Sequence, residues 1–265
     1  MAISDELKDM KNIKILVAAH KPYQMPKDDI FLPIKVGAAL NDADLGFVTD
    51  DTGDNISSKN ANYCELTALY WAWKNLDADY VGLSHYRRHF IMNKSQDKWQ
   101  RVINRDFIEA KLEEADIILP KPRNYYIETS YSQYVHAHHK EDLDYTREII
   151  NEIYPLYIPA YDESMNSTKG HRFNMFIMRR EYFDEYMKWM FDILFELENR
   201  LDISSYSIND KRVFGFVSER LLDVWINTNK YKYIELPVQY MEKQNWIVKG
   251  GRFIKRKIAG APRKL

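Results

Sequence analysis

Short apolar runs recur along the chain and are separated by amphipathic stretches. The first run, at 13–19, is almost continuously apolar and ends at polar, turn-forming residues, which predicts a buried first strand. Five further short runs predict strands, at 45–48, 80–83, 116–119, 173–178 and 232–236. The strands therefore recur through the whole length of the chain.

Between these runs, apolar residues recur at the spacing typical of helices. Leu66, Leu69, Tyr70 and Trp73 recur at intervals of one, three and four residues, which predicts a helix that begins near Ser57 or Asn60 and ends near 75. Further helices are predicted at 32–40, 106–114, 141–154, 180–199 and 210–227, and 154–171 is predicted to be irregular. Alternating strands and helices of these lengths indicate an α/β fold, a mostly parallel sheet covered on both faces, in one domain.

Composition narrows the classes of function. The chain has 265 residues and a net charge of −1, which gives no general attraction to nucleic acid. Its single cysteine, Cys64, rules out a disulfide within the chain and fits a reducing cytosol. The sequence shows no signal peptide and no apolar run of membrane-spanning length, so we expect a cytoplasmic protein that is soluble or peripheral on the inner face of the membrane.

Two features of composition leave alternatives open. The 19 Tyr and 6 Trp suit the faces of sugars and bases, and they equally suit core packing. The segment 246–265 has no acid and interleaves apolar residues with seven cations, so it fits either an anionic membrane surface or a solvated tail. These cations are Lys249, Arg252, Lys255, Arg256, Lys257, Arg263 and Lys264.

Polar clusters follow three of the predicted strands, where ligands bind in open α/β sheets. After the first strand, Lys21 can meet a phosphate and Tyr23 can stack on a base, with His20 beside them, or the segment is an ordinary exposed loop. After 80–83, Arg87 and Arg88 suit a diphosphate, which arginine binds bidentately, or structural salt bridges.

The third cluster is the acidic loop 50–55. Its carboxylates suit a ribose hydroxyl or a divalent cation, although acidic turns are also common on protein surfaces. The helix that follows offers Asn60, Glu65 and Lys74 as further polar groups. Motifs for dinucleotide, P-loop, zinc-protease, CxxC and serine-nucleophile sites are absent from the sequence. His136, His138 and His139 lack the accompanying ligands that a zinc site needs, so surface or core roles are favoured for them.

Glu219 is the leading candidate for a general base. It lies beside a Gly-aromatic pair on a predicted helix, where a carboxylate can accept the proton of an attacking sugar hydroxyl. The alternative is an ion pair with Arg220 or Arg212 on the same helix. Asp210 is the second candidate for the base.

Several of these segments together resemble a bacterial family of capsular and exopolysaccharide synthesis proteins. The blocks that carry the resemblance are NIS at 55–57, ELTALYWAWKN at 65–75, YVGLSHYRR at 80–88, NMFIM at 174–178 and GFVSERL at 215–221. The family was catalogued as a domain of unknown function, and some members are regarded as galactofuranosyltransferases. The resemblance covers about 13–240.

The resemblance implies a GT-A-like glycosyltransferase fold, with a Rossmann-like nucleotide-sugar half at about 13–120 and a helical acceptor half at about 121–240. It implies a UDP-sugar donor, galactofuranose or galactose, a lipid-linked or oligosaccharide acceptor, and inverting transfer. The donor-binding candidates are His20, Lys21, Tyr23, Asp50, Asp51, Asn60, Glu65, Lys74, His85, Tyr86, Arg87 and Arg88. The acceptor-binding candidates are Asn174 and Arg220.

The chain departs from the usual GT-A pattern at HYRR. Most GT-A enzymes carry Asp-x-Asp at this strand end to hold Mn²⁺ or Mg²⁺, whereas this chain carries Arg87 and Arg88. We therefore expect that the arginines stabilise the leaving diphosphate and that no firm metal requirement exists, with a divalent cation remaining an alternative. Two other functions compete with inverting transfer: a retaining transferase or hydrolase on the same fold, and a non-catalytic nucleotide-sugar-binding or scaffold protein.

Overall fold

The computed structural model describes residues 11–242, which contain the following elements. The strands are β1 Ile13–Ala19, β2 Phe31–Lys35, β3 Val48–Thr49, β4 Tyr80–His85, β5 Arg88–Phe90, β6 Ile117–Pro120, β7 Arg123–Asn124, β8 Lys169–Gly170, β9 Phe176–Arg179, β10 Ile234–Leu236 and β11 Val238–Tyr240. The α-helices are α1 Asn60–Tyr63, α2 Leu66–Asn75, α3 Arg105–Leu112, α4 Ser130–Val135, α5 Lys140–Ile153, α6 Ile158–Asn166, α7 Arg180–Arg200, α8 Val213–Ser218 and α9 Leu221–Asn229.

The described chain divides into two compact units. The first contains residues 11–121, 175–188 and 232–239, and the second contains 122–174, 189–231 and 240–242. The predicted halves, 13–120 and 121–240, differ from these units because β9 and β10 lie late in the sequence yet pair with strands of the first unit. The basic segment 246–265 lies outside the described residues.

The first unit is built on a mixed, mostly parallel sheet. Its strand order is β10-β6-β9-β4-β1-β2-β3, with β5 and β11 attached beside β4. β1 is parallel to β2 and β4 on its two sides, and β9 runs antiparallel between β4 and β6. The predicted α/β class and mostly parallel sheet are confirmed.

The apolar runs supply the core of this unit. Ile15, Leu16 and Val17 of β1 are completely buried, as the continuous apolar run predicts for a strand covered on both faces. Leu66 and Leu69 of α2 are also completely buried, so the face that their spacing defines is the one that packs inward.

The second unit is mainly helical. α9 packs against α6, and α5 packs against α6 and α8. Trp225, Tyr161 and Tyr134 are among its largest fully buried side chains. The short strands β7 and β8 form a separate antiparallel ribbon, with Arg123 opposite Gly170 and Asn124 opposite Lys169. Within residues 11–242, no helix combines the length and apolar character needed to cross a bilayer.

The predicted secondary structure is wrong for two segments. The predicted helix at 32–40 is instead the strand β2 followed by a 3₁₀ turn at Ala38–Leu40, because β2 pairs in parallel with β1. The stretch 154–171, predicted to be irregular, contains α6. Pro159 lies in the first turn of that helix, where proline is tolerated because the missing N–H has no partner within the helix.

Two predicted helices are interrupted. The helix predicted to end near 75 breaks at Cys64, whose φ of 54° is unusual for a residue with a side chain. The helix predicted at 210–227 breaks at Glu219 and Arg220, between α8 and α9. The second break places Glu219 between two helices instead of on the face of one.

Candidate functional site

The carboxyl ends of β1 and β4 lie side by side because the two strands are parallel neighbours. Ala18 is opposite His85 in the register, and the N–H of Tyr86 donates to the carbonyl of Ala18 at 3.3 Å. This pairing brings HKPY, which follows β1, next to HYRR, which begins at the end of β4. The sheet therefore joins two of the clusters that sequence analysis predicted separately.

Tyr86 is the centre of this group. Tyr86 is 6% exposed, and its ring meets the rings of His20 at 5.4 Å and Tyr23 at 5.0 Å, both edge to face. Lys21 Nζ lies 5.6 Å and Arg87 Cζ 4.9 Å from the centre of the same ring. We call His20, Lys21, Tyr23, Tyr86 and Arg87 the Tyr86 cluster. It combines aromatic faces with cations at a sheet edge, which suits a phosphorylated ligand that also carries a ring.

The rest of HYRRH supports this cluster. His85 and Arg88 face each other across the tight β4–β5 turn, and both are half-buried. His89 is completely buried and packs edge to face on Phe31 at 6.1 Å. Burial, together with the neighbouring His85, lowers the pKa of His89 to about 4. His89 is therefore neutral at physiological pH and stabilises the turn from inside.

Asp50, predicted to contact the donor, has a structural role. Its carboxylate is completely buried and accepts hydrogen bonds from the backbone N–H groups of Gly37 at 2.9 Å and Ala38 at 3.0 Å. The hydroxyls of Ser57 and Thr67 also donate to it. With four donors and no exposed surface, this carboxylate cannot contact a ligand directly. It holds the turn after β2 against the start of α2.

The other candidates near Asp50 differ in exposure. Asp51 is exposed, and Lys74 is exposed with its Nζ 3.3 Å from the centre of the Trp73 ring. Asn60 and Glu65 are half-buried. The Asn60 amide donates to the carbonyl of Cys64 at 2.7 Å, so it stabilises the helix break. Donor binding by Asp51, Asn60, Glu65 and Lys74 stays a prediction.

In the second unit, Arg220 and Asn174 are buried side chains. Arg220 is 5% exposed, donates to the carbonyl of Phe216 at 2.6 Å and to Gln133 at 2.9 Å, and lies over the ring of Tyr134. Burial, and then the positive charge of Arg172, lower the pKa of Arg220. Asn174 is 4% exposed. Both side chains are therefore buried within the second unit, and acceptor binding by Arg220 and Asn174 stays a prediction.

Glu219 is half-buried at the break between α8 and α9. Its backbone carbonyl accepts a 3.4 Å hydrogen bond from Arg172, a buried arginine that also donates to Ser130 at 2.8 Å. The break is thus fixed from inside by Arg172. The role of Glu219 as a base stays a prediction. The structure shows that Arg172 holds the backbone of Glu219 in place.

His171, Arg172 and Asp223 were not predicted as site residues. Both oxygens of Asp223 bind His171, one at its backbone N–H at 2.9 Å and the other at its ring Nδ1. Phe173 and Asn174 follow with φ values of 77° and 54°, a strained conformation that often marks functional segments. His171 and Asp223 are 52 residues apart, so no local sequence signal joins them.

Asp210, the second candidate base, belongs to a histidine cluster. His138 Nδ1 lies 3.0 Å from one oxygen, and the hydroxyl of Ser207 donates to the other at 2.7 Å. Burial tends to raise the pKa of Asp210, but the hydrogen bonds of Ser207 and His138 outweigh it and lower the pKa. A lowered pKa makes Asp210 a weaker base. No group of three metal-ligating side chains occurs in residues 11–242.

The architecture and the site define a mixed α/β protein with a GT-A-like fold. Residues 14–230 match the family described as "Domain of unknown function (DUF4422)", and the chain belongs to this family. The structure is similar to that of the apo form of the bifunctional glycosyltransferase WbbM, with a TM-score of 0.81 and 34% sequence identity over 88% of this chain. The match covers 46% of the WbbM chain, so this chain spans less than half of that protein. No curated protein matches the chain. The predicted family resemblance and GT-A-like fold are confirmed.

Proposed function

We propose that the protein is a glycosyltransferase that moves galactofuranose or galactose from a UDP-sugar to a growing, lipid-linked surface polysaccharide, with inversion. The observation that carries this proposal is the Tyr86 cluster. It places the aromatic rings of Tyr23 and Tyr86 and the cations of Lys21 and Arg87 at the carboxyl ends of two parallel strands. The similarity to WbbM supports transfer of a sugar as the reaction.

The division of chemical tasks follows from the charges. In the proposed mechanism, Lys21, Arg87 and Arg88 bind the diphosphate and neutralise the negative charge that grows on it as UDP leaves. A carboxylate, for which Glu219 is the first candidate, accepts the proton of the acceptor hydroxyl as its oxygen attacks the anomeric carbon. The bond to UDP breaks on the opposite face of the sugar, so the configuration is inverted.

We propose that this stabilisation does not require a divalent cation. The strand end where Mn²⁺ or Mg²⁺ is held in most GT-A enzymes carries two arginines here, and Asp50, the first acid of the acidic loop 50–55, is already saturated with donors. The residues therefore fit a cationic, rather than metal-bridged, diphosphate site. We further propose a location on the cytoplasmic face of the membrane, where a lipid-linked acceptor is available.

Calorimetric titration with UDP tests the donor site. We expect wild type to bind UDP equally in Mn²⁺ and in EDTA, and Arg87→Ala to bind about 10- to 100-fold more weakly because charge-assisted hydrogen bonds are lost. Arg147→Ala, which removes an exposed arginine paired with Asp162, is the matched control and should bind as wild type does. Absence of UDP binding in both buffers would reject the UDP-sugar donor.

Transfer is tested next with UDP-galactofuranose and UDP-galactose and a saccharide acceptor. An inverted product linkage supports the proposal. Retained configuration, or free sugar released without acceptor, would establish a retaining transferase or a hydrolase instead. UDP binding with no turnover on any acceptor would favour a non-catalytic nucleotide-sugar-binding or scaffold protein of polysaccharide assembly.

A further inference from the structure

The ribbon of β7 and β8 in the second unit carries an exposed apolar tip. Tyr126 is 80% exposed and Ile127 is 59% exposed, and only Tyr125 separates them from the end of β7. Single exposed apolar residues are ordinary on soluble proteins, but two adjacent large ones on one turn are less so.

The turn is held in place. Tyr126 has a φ of 61°, and the Asn124 side chain accepts a 2.7 Å hydrogen bond from the Tyr126 N–H. The Ile127 N–H donates to the carbonyl of Tyr125 at 2.7 Å. Tyr125 anchors the base, since its N–H donates to the carbonyl of Thr168 at 2.9 Å. Strain of this kind persists only where surrounding contacts enforce it, so the outward direction of the tip is built into the ribbon.

The exposed charged side chains on the two strands of the ribbon are cationic. Arg123 and Lys169 are exposed, lie on the two paired strands and are not ion-paired to any described residue. Residues 122–127 and 164–174 contain no acidic residue, and Glu128, which follows Ile127, is 7% exposed with its carboxylate 2.6 Å from His136 Nδ1. Arg123 also lies over the Tyr125 ring, 5.3 Å from its centre, and the buried Arg172 lies 5.7 Å from the same centre.

We propose that this ribbon docks on an anionic membrane surface, with Tyr126 and Ile127 entering the interface and Arg123 and Lys169 contacting lipid phosphates. Aromatic and aliphatic side chains inserted at headgroup depth, with cations beside them, are the combination that peripheral membrane proteins use. Lipid fits better than a neutral protein partner because the apolar tip is small and the exposed charged side chains of the two ribbon strands, Arg123 and Lys169, are both cationic. The inference is independent of the proposed transfer reaction.

Vesicle co-sedimentation of the full chain tests the docking surface. Wild type should bind vesicles that contain phosphatidylglycerol, bind phosphatidylcholine vesicles weakly, and lose binding at high salt. Arg123→Gln/Lys169→Gln should lower the partition coefficient about 25-fold, at about fivefold for each cation near an anionic surface. Tyr126→Ser/Ile127→Ser should lower it roughly tenfold, for partial burial of two apolar side chains.

Matched controls separate the ribbon from other surfaces. Leu156→Ser and Ile208→Ser remove apolar side chains that are 84% and 90% exposed in the same unit, and both should bind as wild type does. All substituted positions are exposed, and unchanged melting temperatures would verify that folding is intact. Failure of wild type to bind anionic vesicles would overturn the proposal. So would binding that survives both ribbon double substitutions, because the basic segment 246–265 or another surface would then be responsible.

Discussion

A carboxylate in an acidic loop can be a ligand or a structural group, and Asp50 shows that burial decides between the two. Sequence places Asp50 and Asp51 side by side as equals. The structure buries Asp50 among four donors and leaves Asp51 exposed. Because the acceptor capacity of Asp50 is fully used, its loss must affect folding before it affects binding.

We predict that Asp50→Asn lowers the free energy of unfolding by about 2–4 kcal/mol. The amide replaces one acceptor oxygen with a donor that faces other donors, and it removes the charge that strengthens the remaining bonds. Urea denaturation measures the change. Asp51→Asn is the control, and its effect should stay within about 0.5 kcal/mol. Equal effects of the two substitutions would show that the hydrogen bonds of Asp50 contribute no more to the free energy of unfolding than exposed Asp51 does.

His89 provides a second prediction at this scale, on pH. Its folded pKa of about 4 lies below the ordinary histidine value, so the unfolded chain binds more protons between the two. Stability from the neutral ring is therefore present above about pH 6.5 and is lost as the pH falls toward 4. Between pH 7.5 and 5 the loss from His89 alone should be about 2 kcal/mol.

His89→Phe isolates this contribution. Phenylalanine keeps an aromatic ring against Phe31 and Trp99 but cannot titrate. The difference between the unfolding free energies at pH 7.5 and pH 5 should therefore be about 2 kcal/mol smaller in the variant than in wild type. An unchanged pH dependence would mean that His89 is not the group that titrates.

At the scale of elements, the close packing of β4 against β9 depends on Gly82. A Cβ at this position would lie 2.8 Å from the backbone carbonyl oxygen of Phe176 and 2.9 Å from Ile177. The backbone cannot move away, because β4 is paired on its other side with β1. Glycine is therefore required here for space, and not for its backbone angles.

We predict that Gly82→Ala lowers the free energy of unfolding by about 2–3 kcal/mol, as overpacking of a core strand does. Gly46→Ala is the comparison. Gly46 has a φ of 66° and no atom within 4 Å of a built Cβ, so only backbone strain of about 1–2 kcal/mol applies. If Gly82→Ala proves no more costly than Gly46→Ala in urea denaturation, the packing argument is wrong.

The elements also show what can be predicted from sequence. β1, β4 and α5 were predicted nearly to the residue because their apolar patterns are long and regular. β2 was predicted as a helix because five residues with an internal proline have no clear period, and pairing with β1 decides their conformation. The helix breaks at Cys64 and Glu219 depend on backbone angles and tertiary bonds that no local pattern encodes.

The same distinction applies to the candidate sites. Sequence analysis identified HKPY and HYRR separately, since each follows a recognisable strand, and the parallel register alone brings them together. It could not separate Asp50 from Asp51, since both have the same neighbours in sequence and differ in burial. His171 and Asp223 were not found, because a hydrogen-bonded pair distant in sequence is visible only when the fold is known.

At the scale of the whole molecule, net charge cannot attract the proposed donor. A chain with a charge of −1 repels a UDP anion weakly, so any attraction must come from a local concentration of cations. The Tyr86 cluster, with Lys21 and Arg87 at one sheet edge, is such a concentration. Binding there couples to the stability of the folded protein, because a ligand that binds only the folded state stabilises it.

We predict that UDP at 100 times its dissociation constant raises the free energy of unfolding by about 2.7 kcal/mol, with EDTA or Mn²⁺ present. If Arg87→Ala weakens binding about 100-fold, the same UDP concentration equals the new dissociation constant and the gain falls to about 0.4 kcal/mol. Chemical denaturation with and without UDP measures both values. Stabilisation that disappears in EDTA would show that a metal ion, and not the arginine, holds the diphosphate. Equal stabilisation of wild type and Arg87→Ala would place the nucleotide elsewhere in the molecule.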